Sequence, residues 1–143
     1  MQVRIAAGLA EALGSQVLLT HVLEPVGSRR GQDLLVSHID RQRRAATHET
    51  LSQLQASLPP RVQSEILLVD GNPAHEIAWI AQQRQVGAIV MGLHSADGLG
   101  PRIGSITYRV LCEGPALVLA LPPALAAPAA SRTEIAHTAV VSR

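Results

Sequence analysis

The sequence predicts an α/β protein with a parallel sheet covered by helices on both faces, and two observations carry this prediction. Helical and strand-like segments alternate along the chain in the order α-β-α-β-α-β-α-β. The strand segments are continuously apolar, which is typical of strands buried on both faces. At 143 residues, the chain has the size of one domain. In such sheets, ligands bind at the carboxyl ends of the strands, where the strand order reverses.

Apolar spacing predicts the elements of the first half of the chain. Residues 5–13 repeat at helical spacing, and Gly14 suits the end of that helix. A buried strand over 16–22 follows. A long helix over 32–58 and a strand over 62–69 complete this half, with the Pro59-Pro60 pair between them.

The second half continues the alternation. Asn72 is a good N-cap and Pro73 suits the first helical position, so a helix is predicted from there to about residue 85. The remaining elements are a strand over 86–92, a helix over 105–112 and a last strand over 116–121. We expect a domain over 1–122 and a tail over 123–143 that is rich in Ala and Pro, with a short apolar patch near 139–141.

Composition narrows the function classes. The chain has no Phe, one Trp and one Tyr, so its core is aliphatic and stacking on bases is disfavoured. All basic residues are Arg, which removes Lys as a nucleophile or Schiff-base former. A single cysteine, Cys112, excludes an internal disulfide and fits a reducing cytoplasm; we expect it to be buried. No apolar run is long enough to cross a bilayer. We therefore expect a cytoplasmic protein with neither a membrane nor a nucleic-acid partner.

Several motifs in residues 71–121 resemble a known family. The "GNPA" helix start, the strand "VGAIVMG", the Gly-rich loop ending in "GS" and the strand "ALVLALP" together resemble the C-terminal half of a universal stress protein domain. The resemblance extends more weakly from Val3 to Pro122. It implies a parallel sheet in the order 3-2-1-4-5, a homodimer through the last strand over 116–121, and a role in stress survival. It also implies ATP binding, which some members have and others lack.

The resemblance places a nucleotide at the loop between Gly92 and Ser105. Amide groups at a helix start have no helical partner and bind anions readily, and Gly104 lets a phosphate approach the backbone. Ser95 stands where nucleotide-binding members have a second Gly, and the loop is one residue short. The alternative is that its glycines only let the loop turn into the helix. The candidate cofactor-binding residues are Val22, Met91, Gly92, His94, Ser95, Arg102, Gly104, Ser105 and Ile106.

The family pattern also reveals a gap. Members begin with a central strand ending in an Asp that helps hold the nucleotide, whereas this chain begins in the helix after that strand. Without the central strand, each of the two strands beside it would lose a ladder of hydrogen bonds, each worth about 1 kcal/mol. The loss of several such bonds rivals the whole stability of a small domain, roughly 5–15 kcal/mol. The favoured explanation for the absent strand is that Met1 is an internal start within a longer protein. What fills the gap stays open: the segment 133–141 folding back, or a strand from a partner chain.

Two functions follow from the resemblance. One is a stress-response module that binds ATP or another adenine nucleotide, with Mg²⁺ accompanying the nucleotide as the only metal, and that acts on a regulatory protein partner. The other is a dimerisation or protein-interaction module that binds no nucleotide. Ser105 has no His/Asp arrangement near it in the sequence. We therefore expect no catalytic residues, and at most weak ATP hydrolysis.

Overall fold

The computed structural model describes residues 2–25, 33–93, 104–122 and 138–142. Each predicted helix and strand is present, with its ends displaced by a few residues at most. The elements are α1 (Gln2–Leu13), β1 (Gln16–Leu23), α2 (Asp33–Ala56), β2 (Ser64–Asp70), α3 (Pro73–Gln83), β3 (Val86–Gly92), α4 (Ser105–Glu113), β4 (Leu117–Leu121) and β5 (Thr138–Ser142). The fifth strand is an addition to the predicted alternation.

The five strands form one sheet in the order β2-β1-β5-β3-β4. β1 is parallel to β2, and β3 is parallel to β4, as predicted. The order of these four strands is also the one that the family resemblance implies. The place of the missing central strand is taken by β5.

β5 runs antiparallel to both of its neighbours. It pairs with residues 16–20 of β1 on one side and with residues 86–90 of β3 on the other. Its pairing with β3 is irregular between Val86 and Ala88. The chain leaves β4 at the carboxyl edge of the parallel strands and enters β5 from that same edge, so β5 must run in the opposite direction. Of the two ways to fill the gap, the structure has the chain's own C-terminal segment fold back.

Two apolar clusters lie on opposite faces of the sheet. On one face, α1 and α2 cover side chains that include Val17, Leu19 and Val90. On the other face, α3 and α4 cover side chains that include Leu18 and Ile89. Alternate residues of a strand point to opposite faces, so the uninterrupted apolar runs in β1 and β3 are explained by helices on both sides.

Two further expectations can be compared with the structure. None of the helices among the described residues has the length and apolar character needed to cross a membrane. The expected burial of Cys112 is wrong, because this thiol is exposed. The buried residues of α4 are Thr107 and Val110. Cys112 follows Val110 by two residues, or about 200° around the helix, and so lies on the outer side.

Candidate functional site

The carboxyl ends of the parallel strands form one edge of the sheet, where the candidate site was predicted. β3 ends there at Gly92, and α4 begins at Ser105 in the connection from β3 to β4. α1 also begins at this edge, because the side chain of Gln2 lies against Gly92. β5 enters the sheet at the same edge with Thr138. The amino ends of α1 and α4, which pack on opposite faces of the sheet, therefore lie at the same edge as the end of β3, and that of α1 lies directly against it.

The start of α4 has the geometry of an open helix N-terminus. Gly104 is its N-cap, with φ −67° and ψ 159°, and no side chain among the described residues caps the first turn. The carbonyl of Gly104 accepts a hydrogen bond from the amide of Tyr108 at 2.9 Å, so the helical hydrogen-bond pattern begins at Gly104. A Cβ built on Gly104 would meet nothing within 4 Å. A guest could therefore approach the amides at this position, and Ser105 beside it is exposed.

Electrostatics at the two helix starts favour an anion. A helix N-terminus carries a partial positive charge that acidic side chains in the first turn normally offset. Neither α1 nor α4 has an acidic residue in its first turn, whereas α3 has Glu76 there and a side-chain cap from Asn72. Arg4 adds a guanidinium to the first turn of α1. The helix starts without an acidic first turn, those of α1 and α4, thus both lie at the edge where β3 ends.

Gly92 does not itself offer open backbone. A Cβ at this position would collide with the amide of the Gln2 side chain, so that side chain occupies the space in front of the glycine. A phosphate at Gly92 would require Gln2 to turn away or to donate its own amide N–H to the ligand. No local sequence pattern predicts this contact, because the two residues belong to elements that meet only in the folded protein.

Three of the predicted site residues direct their side chains into the core. Val22 and Met91 are buried in the cluster between the sheet and helices α3 and α4, and Ile106 packs against the same cluster. Their side chains are therefore structural, and only their backbone groups are available to a ligand. The predicted contributions of His94, Ser95 and Arg102 lie outside the described residues.

A cavity that sequence reasoning missed lies at the ends of β1 and β2. It has a volume of about 240 Å³. Arg44 forms an ion pair with Asp70 at its wall, and the neighbouring Arg43 donates to the carbonyl of Glu24 at 3.3 Å. Carboxylates outnumber guanidinium groups here, so the cavity suits a polar or cationic group better than a phosphate. Its lining residues are Leu23, Glu24, Pro25, Asp40, Arg44 and Asp70.

The part of the chain that the structure describes contains no cluster of potential metal ligands. No group of three or more His, Cys, Asp or Glu side chains is placed there to hold a metal ion. Arg41, Arg43 and Arg44 lie on α2 beside acidic partners, with Asp40 3.5 Å from Arg43. Two further basic residues, Arg29 and Arg30, lie outside the described residues.

The fold and this edge define a doubly wound α/β protein with a candidate anion site at the carboxyl ends of its strands. The model of the universal stress protein family matches residues 3–122, so the chain belongs to this family. A universal stress protein of Thermus aquaticus, named for the 3′ region of a QAH/OAS sulfhydrylase gene, is 28% identical over 116 residues, covering 80% of this chain and 83% of the relative.

Solved structures show the same fold. The hypothetical protein MJ0577, whose structure served to assign a biochemical function, matches with a TM-score of 0.67 and 21% identity, over 86% of this chain and 89% of that one. The universal stress protein UspA of Lactobacillus plantarum matches with a TM-score of 0.65 and 17% identity, over 84% of this chain and 86% of that one. These likenesses concern the architecture.

Proposed function

We propose that this universal stress protein is a stress-response module that binds ATP or another adenine nucleotide with its phosphates at the carboxyl edge of the sheet. The observation that carries the proposal is the pair of helix starts at this edge, α1 and α4, neither of which has an acidic residue in its first turn. Each negative charge near such a helix end gains about 0.3–1 kcal/mol. Two such helix starts at the same edge of the sheet suit a polyanion such as a triphosphate.

The α4 start supplies the best-defined part of this site. The amides of Ser105 and Ile106 belong to its first turn, where amides lack helical partners, and the Ser105 hydroxyl can donate one further hydrogen bond. Gly104 leaves the approach open. The backbone of Val22, Met91 and Gly92 ends two strands at the same edge. β5 lies between those two strands and enters the sheet at this edge with Thr138. The nucleotide would therefore lie next to Thr138.

Calorimetric titration of ATP into the folded protein tests the proposal. We expect saturable binding that weakens about fivefold in Ser105→Ala, for the loss of one hydrogen bond worth about 1 kcal/mol. Ser15→Ala is the matched control, since Ser15 precedes β1 at the opposite edge of the sheet. The absence of heat at millimolar ATP, from a sample whose fold is verified by circular dichroism, would refute nucleotide binding.

A homodimer through β4 is the second part of the proposal. β4 is an edge strand, and its first residue, Leu117, is 71% exposed. Tyr108 and Leu111 are also exposed on α4, which packs on β4. An unpaired strand edge beside exposed apolar side chains is suited to pairing with another chain.

Light scattering tests this dimer. We expect Leu117→Lys to convert the dimer into a monomer, because charge on an edge strand opposes pairing. Leu13→Lys places the same charge at a residue that is 65% exposed on α1, and it should leave the mass unchanged. A dimer that survives Leu117→Lys would contradict the β4 interface.

The proposed cellular role follows from these two parts. A nucleotide-dependent change at the carboxyl edge would be read by a regulatory protein partner in the cytoplasm. Affinity capture with and without ATP, using wild-type protein and a variant that cannot bind ATP, tests this role. A partner that is captured equally in all four conditions would show that the nucleotide does not control the interaction.

A further inference from the structure

We propose that β5 is an exchangeable strand, and that β5 of one copy can fill the central slot of a second copy to give a strand-swapped homodimer. The central slot is the space between the facing backbone edges of β1 and β3, which β5 occupies in the structure. This interaction is separate from nucleotide binding and from the β4 edge.

The slot must hold a strand for the sheet to be stable. β5 pairs with five residues of β1 and four of β3, and α1 packs over it. An empty slot would leave the facing N–H and C=O groups of β1 and β3 without partners, a loss comparable to the whole stability of a small domain. The folded state therefore requires a strand in the slot. β5 from either copy can make the same backbone hydrogen bonds to β1 and β3.

The connection to β5 is much longer than the fold requires. β4 and β5 are separated only by β3 in the sheet, a distance of about 10 Å at ~4.8 Å between neighbouring strands. Residues 123–137 connect them, and a segment of this length reaches up to about 50 Å when extended. The tether is thus long enough to deliver β5 to the slot of an adjacent molecule.

Chain order also favours exchange. β5 is the last strand in the sequence, yet it occupies the middle of the sheet and joins β1 to β3. The facing edges of β1 and β3 therefore stay unpaired during folding until β5 pairs with them. Exposed strand edges accept strands from other chains, and non-local pairings of this kind form late in folding. A second copy offers the identical segment, Thr138–Ser142, with the same register.

The balance between closed monomer and swapped dimer depends on concentration. Both forms contain the same strand pairings, so the contacts of β5 do not favour either one, and domain swapping is an inexpensive route to a dimer. High protein concentration during refolding should favour the swapped form. The slow step in exchange is the release of β5, which breaks both ladders at once.

Disulfide trapping tests the proposal with full-length chains. Thr20 and Thr138 are register partners across the β1–β5 ladder, and partners in a ladder are close enough for a disulfide. In a Cys112→Ser background, a chain with Thr20→Cys is co-refolded at high concentration with an isotopically labelled chain with Thr138→Cys, and then diluted and oxidised. We expect a covalent heterodimer, detected by mass spectrometry, because each chain alone holds only one thiol.

The control mixture replaces Thr138→Cys by Ser142→Cys. Ser142 pairs with Gln16 at the far end of the ladder, about 14 Å from Thr20 along the strand. We expect at least tenfold less covalent heterodimer in this mixture, since a disulfide requires Cα atoms within about 7 Å. A dimer joined through β4 would not bring these thiols together in either mixture.

A doubly substituted chain fixes the interpretation. Thr20→Cys together with Thr138→Cys should close an intrachain disulfide at low concentration, which reports β5 seated in its own slot. If this bond forms but the mixed chains give no heterodimer above the Ser142→Cys control, the strand is not exchanged and the proposal is wrong. If the double variant folds but forms no such bond, β5 does not occupy the slot and the proposal is also wrong.

A second register pair protects the test against misfolding of the Thr20→Cys variant. Val17 and Val141 are partners in the same ladder, and Cys is a small apolar replacement for Val. The mixture of Val17→Cys and Val141→Cys chains should give a heterodimer in the same yield range. Circular dichroism of each variant before mixing verifies that the chains are folded.

Discussion

Thr20 of β1 is the register partner of Thr138 of β5, so the last strand of the sheet in chain order pairs with the first strand. This pairing fills the position that the family pattern leaves empty in this chain. It also makes the stability of the whole sheet depend on a strand of only five residues.

Val140→Pro should destabilise the protein by about 1–3 kcal/mol, because it leaves a buried carbonyl of the ladder without its partner. Val140 pairs with Leu18 on one side and with Ile89 on the other. Proline removes a ladder hydrogen bond and is not tolerated in a central strand. Urea unfolding followed by circular dichroism measures the change. Val140→Ala is the matched control, because it shortens the side chain but keeps the amide. Equal losses in the two variants would mean that β5 is not paired on both sides.

Thr20→Val should leave the free energy of unfolding unchanged or raise it by up to about 2 kcal/mol. Thr20 is 1% exposed, and its hydroxyl oxygen has no hydrogen-bond partner among the described residues. A buried hydroxyl without a partner costs about 1–3 kcal/mol, and Val has nearly the same shape without that group.

Thr50→Val is the control for this substitution. The Thr50 hydroxyl donates to the carbonyl of Ala46 at 2.9 Å, so Thr50→Val removes a hydroxyl that has a partner and should not gain the stability expected of Thr20→Val. Thermal unfolding of both variants gives the comparison. If Thr20→Val is as destabilising as Thr50→Val, then the Thr20 hydroxyl makes a hydrogen bond in solution.

The contrast between predicted and unpredicted features has a physical basis. The helices and four parallel strands were predictable because each has its own apolar period and its own end signals, such as Asn72 and Pro73 before α3. The placement of β5 was predicted only as one of two alternatives, because five residues with a short apolar patch do not determine which strand edges they pair with. The Gln2 contact with Gly92 and the cavity beside Arg44 are likewise tertiary, and no local pattern encodes them.

Gly92→Ala should be destabilising, and Gln2→Ala should relieve part of that loss. A Cβ at Gly92 would collide with the Gln2 side-chain amide, which must then move. Ala substitution at Gly87, in the same strand, meets nothing within 4 Å, so Gly87→Ala should be neutral or slightly stabilising.

A double-mutant cycle isolates this contact. The two substitutions should show a coupling energy of about 0.5–1 kcal/mol, with Gly92→Ala costing less in the Gln2→Ala background than in the wild type. Chemical denaturation of the four proteins supplies the values. Strictly additive effects would show that Gln2 does not occupy the space in front of Gly92.

Gly104→Asp should stabilise the fold while it weakens nucleotide binding. Gly104 has an extended backbone that any residue can adopt, and a Cβ there meets no other atom within 4 Å. Asp is a better N-cap than Gly by a few tenths of a kcal/mol. Its carboxylate would also take the first-turn amides of α4 and place a negative charge where the phosphates bind. Opposition between like charges about 4 Å apart is at least ~1 kcal/mol.

Gly104→Asn separates the two effects, because Asn caps the helix equally well without a charge. We expect ATP affinity, measured by calorimetry, to fall at least tenfold in Gly104→Asp and by a smaller factor in Gly104→Asn, while thermal unfolding shows both variants to be no less stable than the wild type. Since neither variant loses its fold, unchanged ATP affinity in Gly104→Asp would mean that the phosphates bind away from the start of α4.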